Sequence, residues 1–193
     1  MLSRAPSACL AVMLNAERLG FFVVLTLENS VTTNDIIRRI RFIFDFSDSQ
    51  MMDIFAQADL SVSREQVSNW LKQEDKPDFA ELSDKNLAIF LNGLINKKRG
   101  KKEGAQPEPE EFLNNNMIFR KLKIALDFKD EDILAVMTLA EFPLSKHELS
   151  AFFRKQDHKN YRSCQTQVLR NFLKGLQLKF RGDLKDPEAP VEV

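Results

Sequence analysis

The chain has 193 residues, of which 44% are hydrophobic and 29% are charged, and its 28 basic and 28 acidic side chains give a formal net charge of zero. This composition is typical of a globular protein and excludes a disordered or collagen-like chain. The two cysteines are too few for a disulfide framework or a four-thiolate metal site, and no stretch reaches the roughly 20 apolar residues of a membrane-spanning helix. We therefore expect a cytoplasmic protein with no membrane span, no metal and no cofactor.

Residues 1–30 form a segment that has no counterpart elsewhere in the chain. Asn15, Glu17 and Arg18 interrupt its apolar patches, and it lacks the small-residue cleavage site of a secretory signal. We interpret this segment as the result of a start codon assigned too early, with Val31 near the true start. The alternative is a genuine extra helix or strand that docks on the following domain.

An internal repeat accounts for most of the remaining sequence. A shift of 82 positions aligns residues 34–100 with residues 116–182 without a gap. The identical pairs include Asn34/Asn116, Asp45/Asp127, Ser63/Ser145, Asp75/Asp157, Gly93/Gly175 and Arg99/Arg181. This density of identities predicts two copies of one module, repeat 1 at residues 31–100 and repeat 2 at residues 116–182.

Each repeat is predicted to contain four helices. The first helix of repeat 1 is indicated by apolar residues at helical spacing, Ile36, Ile40 and Ile43. Capping boxes at 47–50 and 63–66 predict where the second and third helices begin, and repeat 2 keeps the latter box at 145–148. The fourth helix begins near Ser83 and ends with basic residues before Gly100, which suits a left-handed cap.

The predicted fold class is therefore all-α, with two tandem pseudo-symmetric four-helix repeats that share one core. Gly93 and Gly175 lie inside the fourth helices, where glycine costs about 1 kcal/mol relative to alanine. We expect another helix to approach closely at each glycine. Our hypothesis is that the two fourth helices cross there.

Two further segments flank or join the repeats. The linker, residues 101–115, contains the run Pro-Glu-Pro-Glu-Glu, in which prolines cannot donate hydrogen bonds and neighbouring acids repel each other. The tail, residues 183–193, carries two prolines and four acids. We expect an exposed linker and a flexible tail.

The second and third helices of each repeat resemble a helix-turn-helix unit, in which the second helix enters the major groove of DNA. The candidate DNA-contacting residues are Arg64, Gln66, Asn69 and Lys72 in repeat 1, and Lys146 and Arg154 in repeat 2. The turn lacks the glycine common in such motifs, and Glu148 and Ala151 replace Gln66 and Asn69 in repeat 2. We therefore favour ordinary packing of two helices in a bundle as the explanation, with DNA recognition as the alternative.

A basic ridge recurs on the first helix of each repeat. Its residues are Arg38, Arg39 and Arg41 in repeat 1, and Arg120, Lys121 and Lys123 in repeat 2. Residues 115–183 hold 13 basic against 8 acidic side chains, whereas residues 31–103 hold 12 of each. Such a ridge can bind phosphates without reading a sequence, although we favour the explanation that its bases cap helix ends or pair with local acids.

A loop signature follows the third helix of each repeat. It consists of Lys72, Asp75 and Phe79 in repeat 1, and of Arg154, Asp157 and Tyr161 in repeat 2. We interpret it structurally: the aspartate holds the preceding base and the ring anchors the loop. A symmetric docking site for a partner is the functional alternative.

Several phrases of the sequence carry a resemblance to a known family. They are Thr33–Ile36, Trp70–Asp75, Phe90–Ile95, Asn114–Asn116, Asp157–Arg162 and Leu169–Leu176. Together they resemble the YehS-type family of bacterial cytoplasmic proteins, a domain-of-unknown-function family. The resemblance covers about residues 33–182 and implies a duplicated all-helical protein, without an activity or catalytic residues to carry over.

The sequence contains no glycine-rich phosphate loop, zinc-ligand spacing or nucleophile elbow. We interpret Cys164 as a small half-buried apolar residue and the two histidines as surface residues. We predict a monomeric or weakly self-associating, non-catalytic binding or regulatory module that contacts nucleic acid, DNA or RNA, through basic helical surfaces. The alternatives are a protein–protein adaptor that uses a groove between the repeats, and an enzyme with a site near Asp157, His158 and Arg162.

Overall fold

The computed structural model describes residues 31–182, and within them the secondary structure consists of eight α-helices without a strand. The helices are α1 Thr33–Phe44, α2 Asp48–Ala56, α3 Arg64–Leu71, α4 Asp84–Arg99, α5 Asn115–Ala125, α6 Asp130–Leu139, α7 Lys146–Phe152 and α8 Thr166–Arg181. The all-α prediction is confirmed. The predictions for residues 1–30 and 183–193 lie outside the described residues, and none of the helices between residues 31 and 182 has the length and hydropathy of a transmembrane span.

Side-chain caps fix the starts of these helices where the sequence predicted them. The amide of Gln50 donates to Ser47 Oγ at 3.3 Å, and the amide of Ser47 donates back to Gln50 Oε1 at 2.8 Å. The same reciprocal pair of bonds forms at residues 63–66 and at residues 145–148. Each cap satisfies amides that have no partner inside the helix, so these serines set the register of α2, α3 and α7.

The two repeats also turn alike where helices end. Asp45 and Asp127 follow α1 and α5 with a φ of 55° each, and Asp59 and Glu141 follow α2 and α6 with φ of 62° and 58°. Few non-glycine residues adopt this left-handed conformation. Its recurrence at positions 82 residues apart shows that the backbone turns in the same way after the first and the second helix of each repeat.

Close helix packing explains the glycines in α4 and α8, but the predicted partner is wrong. A Cβ added to Gly93 would lie 1.8 Å from the carbonyl oxygen of Ile54 in α2, and one added to Gly175 would lie 2.1 Å from that of Val136 in α6. Each fourth helix therefore rests on the second helix of its own repeat. The two fourth helices do not meet at their glycines, because these backbone contacts occupy that side of each helix.

The repeats pack on each other reciprocally. The fourth helix of repeat 1, α4, packs against the first helix of repeat 2, α5, and α8 packs in the same way against α1. Ion pairs follow this exchange: Arg99 pairs with Asp127, and Arg181 Nη1 lies 3.2 Å from Asp45 Oδ1. An approximate twofold axis therefore relates the repeats, and the apolar faces of the first and fourth helices are buried between them.

Candidate functional site

The predicted basic ridge on α1 and α5 includes one side chain that the fold itself uses. Arg38 is buried, forms an ion pair with Asp35, and donates from Nη1 to the carbonyl oxygen of Lys72 at 2.6 Å. Its counterpart Arg120 is exposed and donates from Nη2 to the carbonyl oxygen of Phe153 at 2.7 Å. Arg38 therefore holds the end of α3 and offers little charge to a ligand, contrary to the sequence prediction.

Carboxylates pair with the last basic residue of the ridge in both repeats. Arg41 pairs with Asp48 at 3.0 Å, and at the equivalent position Lys123 pairs with Asp130. Both acids lie in the first turn of the following helix, where the helix dipole favours negative charge. These two bases join consecutive helices and leave less charge free for phosphate.

The middle of the ridge faces the interior of the molecule. Lys121 is only 11% exposed, and its Nζ lies 2.9 Å from Glu110 in the linker and 2.6 Å from Asn92 Oδ1 in α4. Arg39, the equivalent residue of repeat 1, also has an interaction partner. The ridge is thus built mainly into contacts between helices and with the linker.

Basic residues at the end of α4, and just after it, also form ion pairs with acids. Lys97 pairs with Asp53, and Lys101 lies 2.7 Å from Asp59. Arg99 makes the contact with repeat 2 described above. Such surface pairs contribute only about 0–1 kcal/mol each to stability. Their main consequence is that these bases already have acidic partners.

The outer face of α3 presents the residues predicted to contact DNA. Arg64 and Gln66 are exposed and Asn69 is half-buried. Gln66 Oε1 accepts a hydrogen bond from the amide of Ser63 at 2.8 Å, so this amide group is engaged in the helix cap. The connection from α2 covers residues 57–63, which is longer than the 3–4-residue turn typical of a helix-turn-helix motif.

The loop signature after α3 does not work as the sequence suggested. Lys72 Nζ lies 3.3 Å from Asp78, whereas Asp75 pairs with the neighbouring lysine at 2.9 Å. Phe79 and Tyr161 are half-buried. Lys72 therefore pairs with Asp78, which has a left-handed φ of 61°, and not with Asp75.

A buried asparagine fixes this loop instead. In repeat 1, Asn34 Nδ2 donates to the carbonyl oxygens of Trp70 at 2.7 Å and Ala80 at 2.9 Å, and Asn34 Oδ1 accepts from the amide of Leu82 at 3.0 Å. Three hydrogen bonds thus join α1 to both ends of the loop. The sequence contained a signal for this role, a polar residue on the apolar side of α1 that recurs at position 116.

Asn116 repeats the arrangement in repeat 2. It donates to the carbonyl oxygens of Phe152 and Arg162, each at 2.9 Å, and accepts from the amide of Cys164 at 2.8 Å. The amide of Arg162 in turn donates to the carbonyl oxygen of Ala151 at 3.2 Å. The backbone of Arg162 is therefore held on both sides.

A concave pocket of about 310 Å³ lies between α7 and the loop that follows it. We call it the basic pocket; its lining residues are His147, Glu148, Ala151, Arg154, Lys159, Asn160, Tyr161 and Arg162. Among the ion pairs in residues 31–182, none involves Arg154, Lys159 or Arg162. From the sequence, Arg154 was predicted to contact DNA and Arg162 to belong to an enzyme site, whereas Lys159 had no predicted role. The spacing of these residues does not show that the loop returns to α7.

Glu148 is the acid of the basic pocket. Its carboxylate accepts hydrogen bonds from the amide of Ser145 at 3.0 Å and from Ser145 Oγ at 2.7 Å. These bonds, and the nearby positive charge of Arg162, lower the pKa of Glu148 below its ordinary value. Glu148 therefore stays ionised at neutral pH, caps α7 and offsets part of the positive charge around it.

The residues of the enzyme hypothesis are not brought together in the basic pocket. Arg162 lines it, but Asp157 and His158 are exposed and are not among its lining residues. Cys164 is 2% exposed, and burial raises the pKa of its thiol from 9.0 to about 12. A buried thiol that stays protonated is a poor nucleophile, which agrees with a packing role for Cys164.

An apolar cleft of about 170 Å³ lies in repeat 1. Residues 58–60 and the outer side of α4 form two of its sides, and linker residues 106–109 form the third. Asn96 Nδ2 donates to Gln106 Oε1 at 3.2 Å, which holds the linker there. This cleft lies under the linker rather than between the repeats, where the adaptor hypothesis expected a groove.

Comparisons with known proteins agree with the duplication. The model of a family described as "Protein of unknown function (DUF1456)" matches twice, at residues 33–100 and 115–182. The chain is 43% identical over 145 residues to "Uncharacterized protein YehS" of Escherichia coli (strain K12), which covers 75% of this chain and 93% of that protein. No solved structure matches the chain.

Proposed function

Because this chain belongs to the DUF1456 family of proteins of unknown function, we propose its role from its own surface: it is a non-catalytic module that binds nucleic acid through the basic side of repeat 2. This surface consists of the basic pocket together with the neighbouring exposed lysines Lys146 and Lys155. The proposal narrows the sequence prediction, which divided the nucleic-acid contacts between both repeats.

The observation that carries the proposal is the difference between paired and unpaired bases. The ridge on α1 and α5 and the end of α4 have most of their bases in ion pairs or hydrogen bonds with other parts of the fold. In the basic pocket, Arg154, Lys159 and Arg162 have no such carboxylate partner among the described residues. A phosphate can bind these cations without first displacing an acid, and it releases counterions from the nucleic acid.

Backbone contacts of this kind do not read base sequence. We therefore expect the protein to bind duplex DNA and RNA with little sequence preference and with strong salt dependence. The logarithm of the affinity falls with the logarithm of the salt concentration by about 0.9 for each duplex phosphate contacted and about 0.7 for each phosphate in a single strand. The salt slope thus reports how many of these bases touch phosphate.

Fluorescence anisotropy across a salt series, with labelled duplex DNA and labelled single-stranded RNA, tests the proposal. We expect the double variant Lys146→Glu/Lys155→Glu to bind much more weakly at low salt and to reduce the slope by about 2, since each lost phosphate contact lowers it by about 1. The control Arg64→Glu/Lys72→Glu makes the same change of charge in repeat 1 and should bind nearly as the parent does. The proposal fails if the parent protein binds neither nucleic acid at low salt, or if both double variants lose affinity equally.

A further inference from the structure

The basic pocket differs in charge from the equivalent region of repeat 1, although the same backbone hydrogen bonds hold the loop in both repeats: Ala80 donates to Asn69 and Arg162 donates to Ala151. The equivalents of His147, Lys159 and Arg162 are Glu65, Pro77 and Ala80. Repeat 2 therefore has three bases and one acid in this region, and repeat 1 has one base and two acids. The duplicated fold does not require the bases of the pocket.

The ion pair that closes this region in repeat 1 is also missing from repeat 2. Lys72 pairs with Asp78 at 3.3 Å. Their equivalents are Arg154 and the neutral Asn160, so the guanidinium of Arg154 remains without a carboxylate partner among the described residues. An arginine is suited to bind phosphate oxygens through two parallel hydrogen bonds.

We propose that the basic pocket binds the terminal phosphomonoester of a nucleic-acid strand, an inference that rests on the proposed nucleic-acid binding and specifies its ligand. The pocket has a net charge of about +2 from Arg154, Lys159, Arg162 and Glu148. A phosphomonoester carries about −1.5 to −2 at neutral pH, whereas an internal phosphodiester carries one negative charge. The terminal group therefore matches the charge of the pocket better.

The size of the pocket supports the same ligand. Its volume of about 310 Å³ is at the lower end of the ~300–1,000 Å³ range of small-molecule sites. A strand end can enter such a cavity with its last nucleotide, whereas the phosphates along a duplex lie on a convex surface and have sugars on both sides. Tyr161 is part of the lining and supplies a ring against which the terminal base or ribose can pack.

The pocket is also built to hold its shape before a ligand arrives. The carbonyl oxygen of Arg162 accepts from Asn116, and its amide donates to Ala151 at 3.2 Å. Glu148 has one carboxylate oxygen, Oε2, bonded to Ser145, which fixes the position of this acid at the start of α7. Because the backbone around Arg162 is fixed, the loop itself needs no ordering on binding, and the remaining ordering cost is that of the side chains.

The test compares single-stranded oligonucleotides of one sequence that carry a 5′-phosphate, a 3′-phosphate or only hydroxyl ends, each with an internal fluorophore, against the full-length protein. We expect one phosphorylated strand to bind at least about tenfold more tightly than the hydroxyl strand, because a hydrogen bond to a charged group is worth enough for one such factor. If the strand with the 5′-phosphate binds more tightly, the pocket binds the 5′ end, and if the strand with the 3′-phosphate does, it binds the 3′ end. Arg162→Ala, which introduces the residue of repeat 1, should abolish the preference, and Arg162→Lys should restore part of it.

Lys72→Ala, at the position equivalent to Arg154, is the matched control and should keep the preference. Circular dichroism checks that each variant is folded. Equal affinity for all three strands overturns the inference while leaving the proposed nucleic-acid binding intact, and so does a preference that persists in both Arg162→Ala and Arg154→Ala. If none of the strands binds at low salt, the proposed function itself fails and this inference fails with it.

Discussion

Replacing either buried helical glycine by alanine tests the packing of each repeat. In an isolated helix, Gly→Ala stabilises by about 1 kcal/mol. Here the added methyl carbon at Gly93 would lie 1.8 Å from the carbonyl oxygen of Ile54, and the one at Gly175 would lie 2.1 Å from that of Val136. The helices would have to separate by roughly 1 Å for either carbon to reach a distance of 3.0 Å.

The size of the effect follows from two opposing contributions. Overpacking a well-packed core costs about 1–3 kcal/mol, and occasionally more. We expect the upper part of this range, because the obstacle is the backbone of another helix and cannot rotate away as a side chain can. After the gain in helix propensity, the free energy of unfolding should fall by about 2 kcal/mol, which lowers the melting temperature by about 4–8 °C in a domain of this size.

Urea unfolding followed by circular dichroism measures this change for Gly93→Ala and Gly175→Ala separately. The control for Gly175→Ala is its exposed neighbour, since Lys174→Ala changes the same helix without entering the interface and should alter stability little. The two glycine variants should behave alike, because they contact equivalent residues of α2 and α6. Variants as stable as the parent, or more stable, would refute the close approach of these helices.

Two further predictions concern buried groups. Asn34→Ala and Asn116→Ala each remove three hydrogen bonds to buried backbone. Each variant should lower the free energy of unfolding by about 3 kcal/mol or more, since each polar group left unsatisfied costs about 1–3 kcal/mol. A loss in urea unfolding no larger than that of the half-buried control Asn86→Ala would contradict this. In a Cys9→Ser background, Cys164 should react with Ellman's reagent only after unfolding. The pKa of this thiol in the folded protein, about 12, lies above its ordinary value of 9.0. The stability that the protonated thiol contributes is therefore present below pH 9.0 and is lost as the pH rises towards 12, and Cys164→Ala should reduce this alkaline loss. Rapid labelling of the folded protein, or equal pH profiles of stability for the parent and Cys164→Ala, would contradict this.

The sequence was sufficient to predict the helices but not their partners. The capping boxes and the helical spacing of apolar residues are local signals, and the helix starts at Ser47, Ser63 and Ser145 agree with them. The glycines showed that something approaches α4 and α8, yet local sequence cannot tell which helix it is. Helix propensity and hydrophobic periodicity depend on local sequence, whereas the helix that packs against α4 or α8 depends on the tertiary fold.

The same limit applies to the candidate site. Nothing in the sequence distinguishes Lys121 from the other bases of the ridge, but in the fold it contacts Glu110 and Asn92. Arg154 and Lys159 line one pocket with Arg162, whose carbonyl oxygen accepts a hydrogen bond from Asn116. Positive charge is visible in a sequence, but whether a carboxylate neutralises it is a property of the tertiary structure.

The exchange of first and fourth helices across the approximate twofold axis has an evolutionary consequence. A one-module ancestor could have completed this arrangement only by pairing with an identical molecule, so the present protein corresponds to a homodimer fused into one polypeptide. In a true homodimer, every mutation appears on both subunits. Gene fusion removes that constraint, which allows one half to acquire the positive charges of the basic pocket while the other keeps a different surface.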